Sequence, residues 1–439
     1  MLFRSVVDIF NEGIDLPEID TILFLRPTES LTIFLQQLGR GLRIHEGKEV
    51  LTVLDFVGNV REEYDFENKF RALVGKTNTS IAKEVEQDFP NLPLGCGIIL
   101  EKKAKAHILG NIRRATLIHK RDLVRRISNY PNHSEKPLTL KNFIAAYNLN
   151  LKQLYKNNCF SELKSESLGF KVNDKYIKNF KTLLSKKWLV TESFSYFSFI
   201  KQLIDKDFNL DRLENSRELQ QYALMFFYDF YSGPTEHSSL KDAIKDIATN
   251  AMLVQELREY IEVKLDQQSF QELPCLGLGF HFPLKIHARY TREQILVALE
   301  LNQFEKKYIS QSGTAENKSL QTEALFINLK KSEEDFSPTT MYEDYAISED
   351  LFHWQSQNKT ADTSTRGKSY INHKDLGKNI LLFIRESKRD EMGLTQGYVF
   401  IGPATFLEYT GTKPMSITWK LKEELPEYIW SESAKLLGS

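Results

Sequence analysis

The run Gln36-Gln-Leu-Gly-Arg-Gly-Leu-Arg43 sets two guanidinium groups, Arg40 and Arg43, three positions apart, with the Gln36 amide one turn earlier. On a helix such positions share a face, so both arginines can meet one anion. A guanidinium keeps its charge and forks onto phosphate oxygens, which suits it to the charge that develops in phosphoryl transfer. In nucleotide hydrolases a finger of this kind contributes roughly 10³ to 10⁵ in turnover. An exposed arginine pair on a surface helix is the plain alternative. A second constellation is Glu386-Ser-Lys388 with Asp375 upstream. Two carboxylates can hold magnesium while a lysine steadies the attacking water or the leaving charge in phosphodiester cleavage, although strand ends are often charged without such a role.

A third set suits nucleic-acid recognition. Along Leu351 to Gln357, Phe352 and Trp354 share one face of a strand while His353, Gln355 and Gln357 share the other. Aromatic and hydrogen-bonding faces are what reading a base edge, or a base flipped into a pocket, requires; Phe352 and Trp354 also fit a core. The polar loop from Asn358 to Ser369 brings Arg366 and Lys368 as phosphate contacts. Between Lys102 and Arg126 the cations, Arg113, Arg114 and Arg121 among them, greatly outnumber acids, and Ile108, Ile112 and Ala115 mark an apolar stripe. One basic helix is expected there, either tracking phosphates with salt-sensitive affinity or forming a solvated face.

Several elements must position these groups. Ser5 to Ile9, Thr21 to Leu25 and Val50 to Val57 read as apolar strands, with a helix from Thr28 to Leu42, the alternation of a parallel sheet. Gly75-Lys-Thr77 looks like the end of a phosphate loop, but the first glycine of that pattern would fall at Phe70. Asp65 to Val74 has helical spacing, so Gly75 reads as a helix stop. From Leu138 to Asp266 the pattern is mainly helical; Lys136 to Phe143 and Asn150 to Tyr155 suggest two short helices joined by a turn. After Pro283, Thr291 and Gln294 form a capping box. Strands then follow at Ala324 to Leu329, Leu351 to Gln357, Ile380 to Glu386, Tyr398 to Tyr409 and Ser416 to Leu421, which suggests a small barrel or a curled sheet.

Two resemblances join these features. Gln36 to Arg43 is similar to motif VI of superfamily 2 helicases, and Asp8-Ile-Phe-Asn-Glu-Gly-Ile-Asp-Leu-Pro17 resembles their motif V, in the right order. The stretches His287 to Leu296, Tyr342 to Gln357 and Lys413 to Leu421 resemble the uncharacterised C-terminal domain of SauUSI-type restriction helicases. The resemblance implies that Asn11, Gly13, Asp15 and Gly39 lie beside nucleic acid and nucleotide, with Arg40 and Arg43 facing ATP and Mg²⁺. It also implies a multidomain chain: a partial RecA-like α/β lobe over 1–78, a helical coupler over 79–283, and a β-rich DNA-recognition domain of SRA-like or PUA-like barrel form over 284–439. The partner expected is duplex DNA, with duplex carrying 5-methylcytosine as an open alternative. The phosphate-binding first lobe and the nuclease find no counterpart, so the chain alone is not expected to bind or hydrolyse ATP, and a second chain would supply them. A metal-dependent nuclease at Glu386 and a non-catalytic interaction remnant are the alternatives.

Composition sets the outer bounds. The chain has 439 residues, 41% hydrophobic and 27% charged, long enough for two or three cores. A net charge of -1 gives no global basic signature, so any nucleic-acid surface must be local. Cys96, Cys159 and Cys275 lack paired spacing, no apolar run approaches ~18 residues, and no leader is evident, so a reducing cytoplasm and no membrane span are expected.

Overall fold

The computed structural model describes residues 17–25, 31–56, 64, 66–75, 81–90, 92, 95–116, 118–147, 149–171, 175–211, 216–267, 270–310, 312–329, 344–390, 393–426 and 429. The chain forms two compact units, Met1–Leu117 and Ile118–Ser439. The expected strand at Ser5 to Ile9, and Asn11, Gly13, Asp15 and Tyr342, lie outside the described residues.

In the first unit, β1 (Thr21–Phe24) and β2 (Thr52–Asp55) pair in parallel, with α1 (Leu31–Gly41) between them in the chain. Strand alternation turns Ile22 and Phe24 inward, where Phe34 of α1 meets them; the Phe24 and Phe34 ring centroids are 5.4 Å apart. Further on come α2 (Phe66–Val74), α3 (Ile81–Glu86) and α4 (Lys102–Thr116). They bury Phe66, Phe70, Val85, Phe89, Ile108 and Ile112 in a second small core. Gly75 follows α2 with φ +79°, and its N–H donates to the Arg71 carbonyl at 2.9 Å, so it stops the helix.

The second unit opens with helices α5 (Lys120–His133), α6 (Leu140–Tyr147), α7 (Leu151–Tyr155), α8 (Phe160–Leu168) and α9 (Ile177–Thr182). A π-helical turn, Leu183–Trp188, runs on from α9, followed by α10 (Phe194–Asp205), α11 (Arg217–Tyr231), α12 (Leu240–Ile247) and α13 (Ala251–Asp266). The turn between α6 and α7 matches the two short helices read from the sequence, and Asn150 with Gln153 closes a capping box there. Distant carboxylates cap other helix starts. Glu256 on α13 accepts from the Phe160 and Ser161 N–H groups at 2.6 and 2.8 Å, and Glu259 from that of Leu140 at 2.7 Å. Glu272 does the same for Phe194 and Ser195. Each satisfies backbone donors that have no partner within their own helix, and a carboxylate also suits the positive end of the helix dipole.

The π turn directs Lys187 and Trp188 inward. Lys187 pairs with Glu293 at 2.9 Å, while the Trp188 indole donates to Asp229 Oδ2 at 3.1 Å. That oxygen also accepts from the Tyr196 hydroxyl at 2.8 Å and the Gln294 amide at 2.7 Å. Burial pushes the Asp229 carboxyl up to about 6, against the opposing pull of Lys187 and the three donors.

The sheet follows. A short pair, β3 (Leu273–Pro274) with β4 (Lys285–Ile286), leads to β5 (Arg289–Tyr290) and α14 (Arg292–Ala298), which Thr291 and Gln294 cap as the sequence predicts. Then come β6 (Thr314–Asn317), β7 (Thr322–Asn328), β8 (Tyr345–Ala346), β9 (Leu351–Gln355), α15 (Thr365–Ile371), β10 (Asn379–Arg385), β11 (Tyr398–Thr410) and β12 (Ser416–Leu421). The strand order is β6-β7-β10-β11-β12-β9-β8, with β5 beside β11. β7 and β10 run parallel and the other pairs antiparallel. Of the barrel and the curled sheet that the sequence left open, the described strands form an open sheet: β6 and β8 end the order and no ladder joins them. Bulges at Leu382/Phe383 and Phe406/Glu408 bend it.

Both faces of the central strands are covered. Along β10, Leu381 and Phe383 enter the core built by the helices, whereas Ile380, Leu382 and Ile384 enter a second core with Phe352, Trp354 and Trp419. α15 closes that second core, and its Gly367 admits no Cβ, which would sit 2.0 Å from the Ala361 carbonyl oxygen. His373 locks the bend in β11: its Nδ1–H donates to the Lys378 carbonyl at 2.9 Å, and its Nε2 accepts from the Phe406 N–H at 3.0 Å. These fixed partners dictate the tautomer, and burial holds the imidazole below its usual range. No helix among the described residues is long and apolar enough to cross a membrane. Cys96, Cys159 and Cys275 are free thiols, and burial pushes Cys275 up to about 12.

Candidate nucleic-acid interface

Gln36 and Arg40 stand four residues apart on α1, Gln36 exposed and Arg40 half-buried, so one face of the helix presents an amide and a guanidinium. Arg43 departs from the expected arrangement. The helix ends at Gly41, two residues short of Arg43, so the shared helical face does not extend to it. The reason lies in residues outside the helix. A Cβ on Gly41 would lie 2.6 Å from Ile22 and 2.9 Å from Leu51, so the helix end presses onto the sheet. The Lys48 ammonium then caps it, donating to the carbonyls of Gly41, of Arg43 at 3.0 Å and of Pro17 at 3.1 Å. Gly39, expected beside the nucleotide, has open space around its Cα; Gly41 is the glycine that packing requires. Beyond β2, buried Lys69 pairs with Asp55 at 2.5 Å and lies 4.2 Å from the Phe34 ring centroid. Gly75 stops α2, and Lys76 and Thr77 of the partial phosphate-loop pattern lie outside the described residues.

The expected basic helix is two helices in different units, α4 ending at Thr116 and α5 beginning at Lys120. A charge run carries no boundary signal, and the apolar stripe changes core between them: Ile108 and Ile112 pack in the first unit, Leu123 and Ile127 in the second. Arg113 and Arg114 belong to α4, but their side chains lie outside the described set; Arg121 is exposed on α5.

In the sheet, β9 alternates as the sequence predicts. Phe352 and Trp354 point inward, and Trp354, 5% exposed, packs edge-on to Tyr370 with centroids 5.4 Å apart. Trp354 is therefore a core residue and not a nucleic-acid contact. The outward side carries His353 and Gln355, both half-buried. His353 stacks on Tyr345 of β8, and the Gln355 amide donates to the Ser416 hydroxyl of β12 at 3.2 Å. Asp344 accepts the Gln355 N–H at 2.9 Å. Gln357 lies past the strand end, where its side-chain carbonyl accepts from Thr360 at 3.1 Å. Aromatic rings, amides and hydroxyls thus line one surface of β8, β9 and β12, the donor and acceptor set that base edges recognise.

Arg366 does not hang free as a phosphate grip. It lies on α15 and donates to Glu323 at 2.7 Å, to Thr314 at 2.5 Å and to the Tyr370 hydroxyl at 3.0 Å. Lys378 joins the same group, 2.7 Å from both Glu323 and Glu316. Glu323 is fully buried on β7, and although desolvation opposes its charge, Lys378 and Arg366 hold its carboxyl below the usual range. Sequence reading missed Glu323 and Lys378; the available signal was an acid inside the apolar run of β7. Lys368, on the outer side of α15, stays exposed. The magnesium expectation fails on geometry. Asp375 precedes β10 and Glu386 follows it, so a seven-residue strand, roughly 23 Å at 3.3 Å per residue, separates the two carboxylates. Among the described residues no three His, Cys, Asp or Glu side chains gather to hold a metal.

A family described as "Domain of unknown function (DUF3427)" matches residues 284–433. The chain is also similar to "Putative ATP-dependent helicase IRC3" of Saccharomyces cerevisiae, 50% identical over 50 residues, which are 11% of this chain and 7% of that protein. To "Putative mitochondrial ATP-dependent helicase irc3" of Schizosaccharomyces pombe it is 45% identical over 53 residues, 12% of this chain and 9% of that protein. The likeness to helicases therefore rests on a short stretch, and the chain spans under a tenth of the length of each of these relatives.

Proposed function

We propose that the chain is part of an ATP-dependent DNA helicase or translocase of the restriction type, with a motor fragment at its start and a DNA-reading sheet at its end. The observation that carries this reading is α1 set between two parallel strands, presenting Gln36 and Arg40 together, and the short identity to proteins named as helicases supports it. Arg40 would act on a nucleotide held by a phosphate-binding lobe that has no counterpart in this sequence. Reading belongs to the outward side of β9, where His353 and Gln355 face duplex DNA. A methyl group on cytosine adds apolar surface in the major groove, which the Tyr345 ring beside His353 suits. Helicase activity, restriction and methyl reading are proposals for the whole protein.

The test is the affinity of the chain for matched duplexes with and without 5-methylcytosine at two salt concentrations. A methyl preference that survives added salt, and that His353→Ala with Gln355→Ala removes, supports base reading by the sheet. Equal affinity for both duplexes overturns methyl reading, and absence of any duplex binding overturns the DNA-reading role.

A further inference from the structure

Although the whole chain is nearly neutral, its helical region is electrically divided. From 118 to 188 there are fifteen Lys and Arg against five Asp and Glu, whereas from 189 to 266 there are eight against fourteen. The excess of cations lies on neighbouring elements. α8 sits against α5 through the Ser128–Ser167 hydroxyl pair at 2.8 Å and the Lys120–Glu166 ion pair at 2.6 Å. It is tied to α9 by Lys181 and Glu162 at 2.7 Å. These two ion pairs occupy both acids of α8. On α5, Asp122 is engaged by Arg125 at 3.3 Å. Among the cations of these elements that have no ion pair, Arg126 lies over the Tyr147 ring and Lys164 over the Phe160 ring; the other four are Arg121 on α5, Lys171 after α8, Lys178 on α9 and Lys186 on the π turn. All four are exposed, and none has an ion pair among the described residues.

We infer that α5, α8, α9 and the π turn form a face that holds the phosphate backbone of duplex DNA without reading its sequence. The inference rests on the DNA-binding role proposed above and gives it a second, separate surface. Cations that are not spent on intramolecular pairs gain by releasing the counterions condensed on a duplex, roughly one per phosphate neutralised. A lysine is a hydrated point charge on a flexible stem, suited to tracking phosphates and poorly suited to reading base edges. An anionic lipid surface fits less well. Binding in a membrane interface needs an apolar helix face to insert; the apolar residues of α9 and the π turn, Phe180, Leu183, Leu184 and Trp188, are buried in the protein core, and Leu168 and Phe170 at the end of α8, though exposed, are two side chains and not a helix face.

The experiment measures binding of the full chain to a mixed-sequence duplex over a range of salt, with Lys171→Gln, Lys178→Gln and Lys186→Gln combined. These side chains are exposed, so thermal unfolding of the variant serves as the control and is expected to match the wild type. The slope of log affinity against log salt should become shallower by about 2 to 3, at about 0.9 per phosphate contact, with affinity at low salt falling at least tenfold. Wild-type slope and affinity in the variant would overturn this inference and leave the DNA-reading role standing. A wild-type chain that binds no duplex overturns both, and one that binds phosphatidylserine vesicles but no duplex assigns the face to membranes instead.

Discussion

The Tyr345 ring lies parallel to the His353 imidazole across the β8–β9 pair, with centroids 4.5 Å apart and planes inclined by 13°. Both rings are half-buried, so the stack offers a flat edge to a ligand without supporting the core. His353→Ala should therefore weaken duplex binding while leaving thermal unfolding within about 2 °C. A stacking or edge contact of this kind contributes about 1 kcal/mol or more, about fivefold in Kd. The neighbouring Trp354→Ala should behave in the opposite manner, losing about 3–5 kcal/mol of stability because it empties a packed core. Fluorescence anisotropy and urea unfolding on both variants separate the two roles.

Glu323, itself fully buried, neutralises two cations, Lys378 and Arg366. Glu323→Ala leaves Lys378 with Glu316 alone and releases Arg366 to solvent, since its side chain is already partly exposed. Removing one member of a buried pair typically costs about 3–5 kcal/mol, and these escapes place the expected loss near the lower bound. Replacing Glu323 and Lys378 together by Leu and Met should restore part of it. A single variant as stable as the wild type in urea would show that the group carries no stability.

Asp229 makes stability depend on pH in a direction set by its raised value. With a folded value of about 6 against an ordinary 3.8, the native state holds the proton longer than the unfolded chain. Its favourable contribution is complete below pH 3.8 and is lost as pH rises through about 6. Asp229→Asn should thus raise the unfolding free energy at pH 7.5 by up to about 3 kcal/mol, and the melting temperature with it, with no gain at pH 4. An equal loss at both pH values would mean that the charge itself is needed.

His373 works in the other direction. Its folded value is depressed by burial, so its contribution is present above the ordinary 6.5 and is lost as pH falls through the folded value. A protonated Nε2 cannot accept the Phe406 N–H, so the β11 bend loosens first. The protection factor of the Phe406 amide in hydrogen exchange should fall as pH is lowered below 6.5. A factor that stays constant to pH 5 would show that the imidazole remains neutral throughout.

Legibility in the sequence tracked the range of the interaction. The Thr291–Gln294 capping box, the alternation of β9 and the β12 limits were readable because each depends on residues within a few positions of one another. The glycine after α2 was readable for the same reason. The end of α1 was not, because it is set by Ile22 and Leu51 pressing on Gly41 and by a lysine seven residues on. The parallel pairing of β7 with β10 and the group of Thr314, Glu323, Arg366 and Lys378 are assembled from distant segments, and no local period announces them. For the candidate interface, alternation alone separates the polar side of β9 from its aromatic side, whereas the core place of Trp354 and the buried pairing of Arg366 depend on Tyr370 and Glu323, which no local pattern points to.

The long-range carboxylate caps bear on the birth of the chain. The start of α8 waits for Glu256, 96 and 95 residues after the amides it receives, and α6 waits 119 residues for Glu259. At about 5–20 residues per second of synthesis, roughly 5–25 s pass on the ribosome before either helix start can be satisfied. During that interval the cationic early helices are already outside the ribosome while the acidic later ones are not, so a nascent chain passes through a strongly basic stage next to ribosomal RNA.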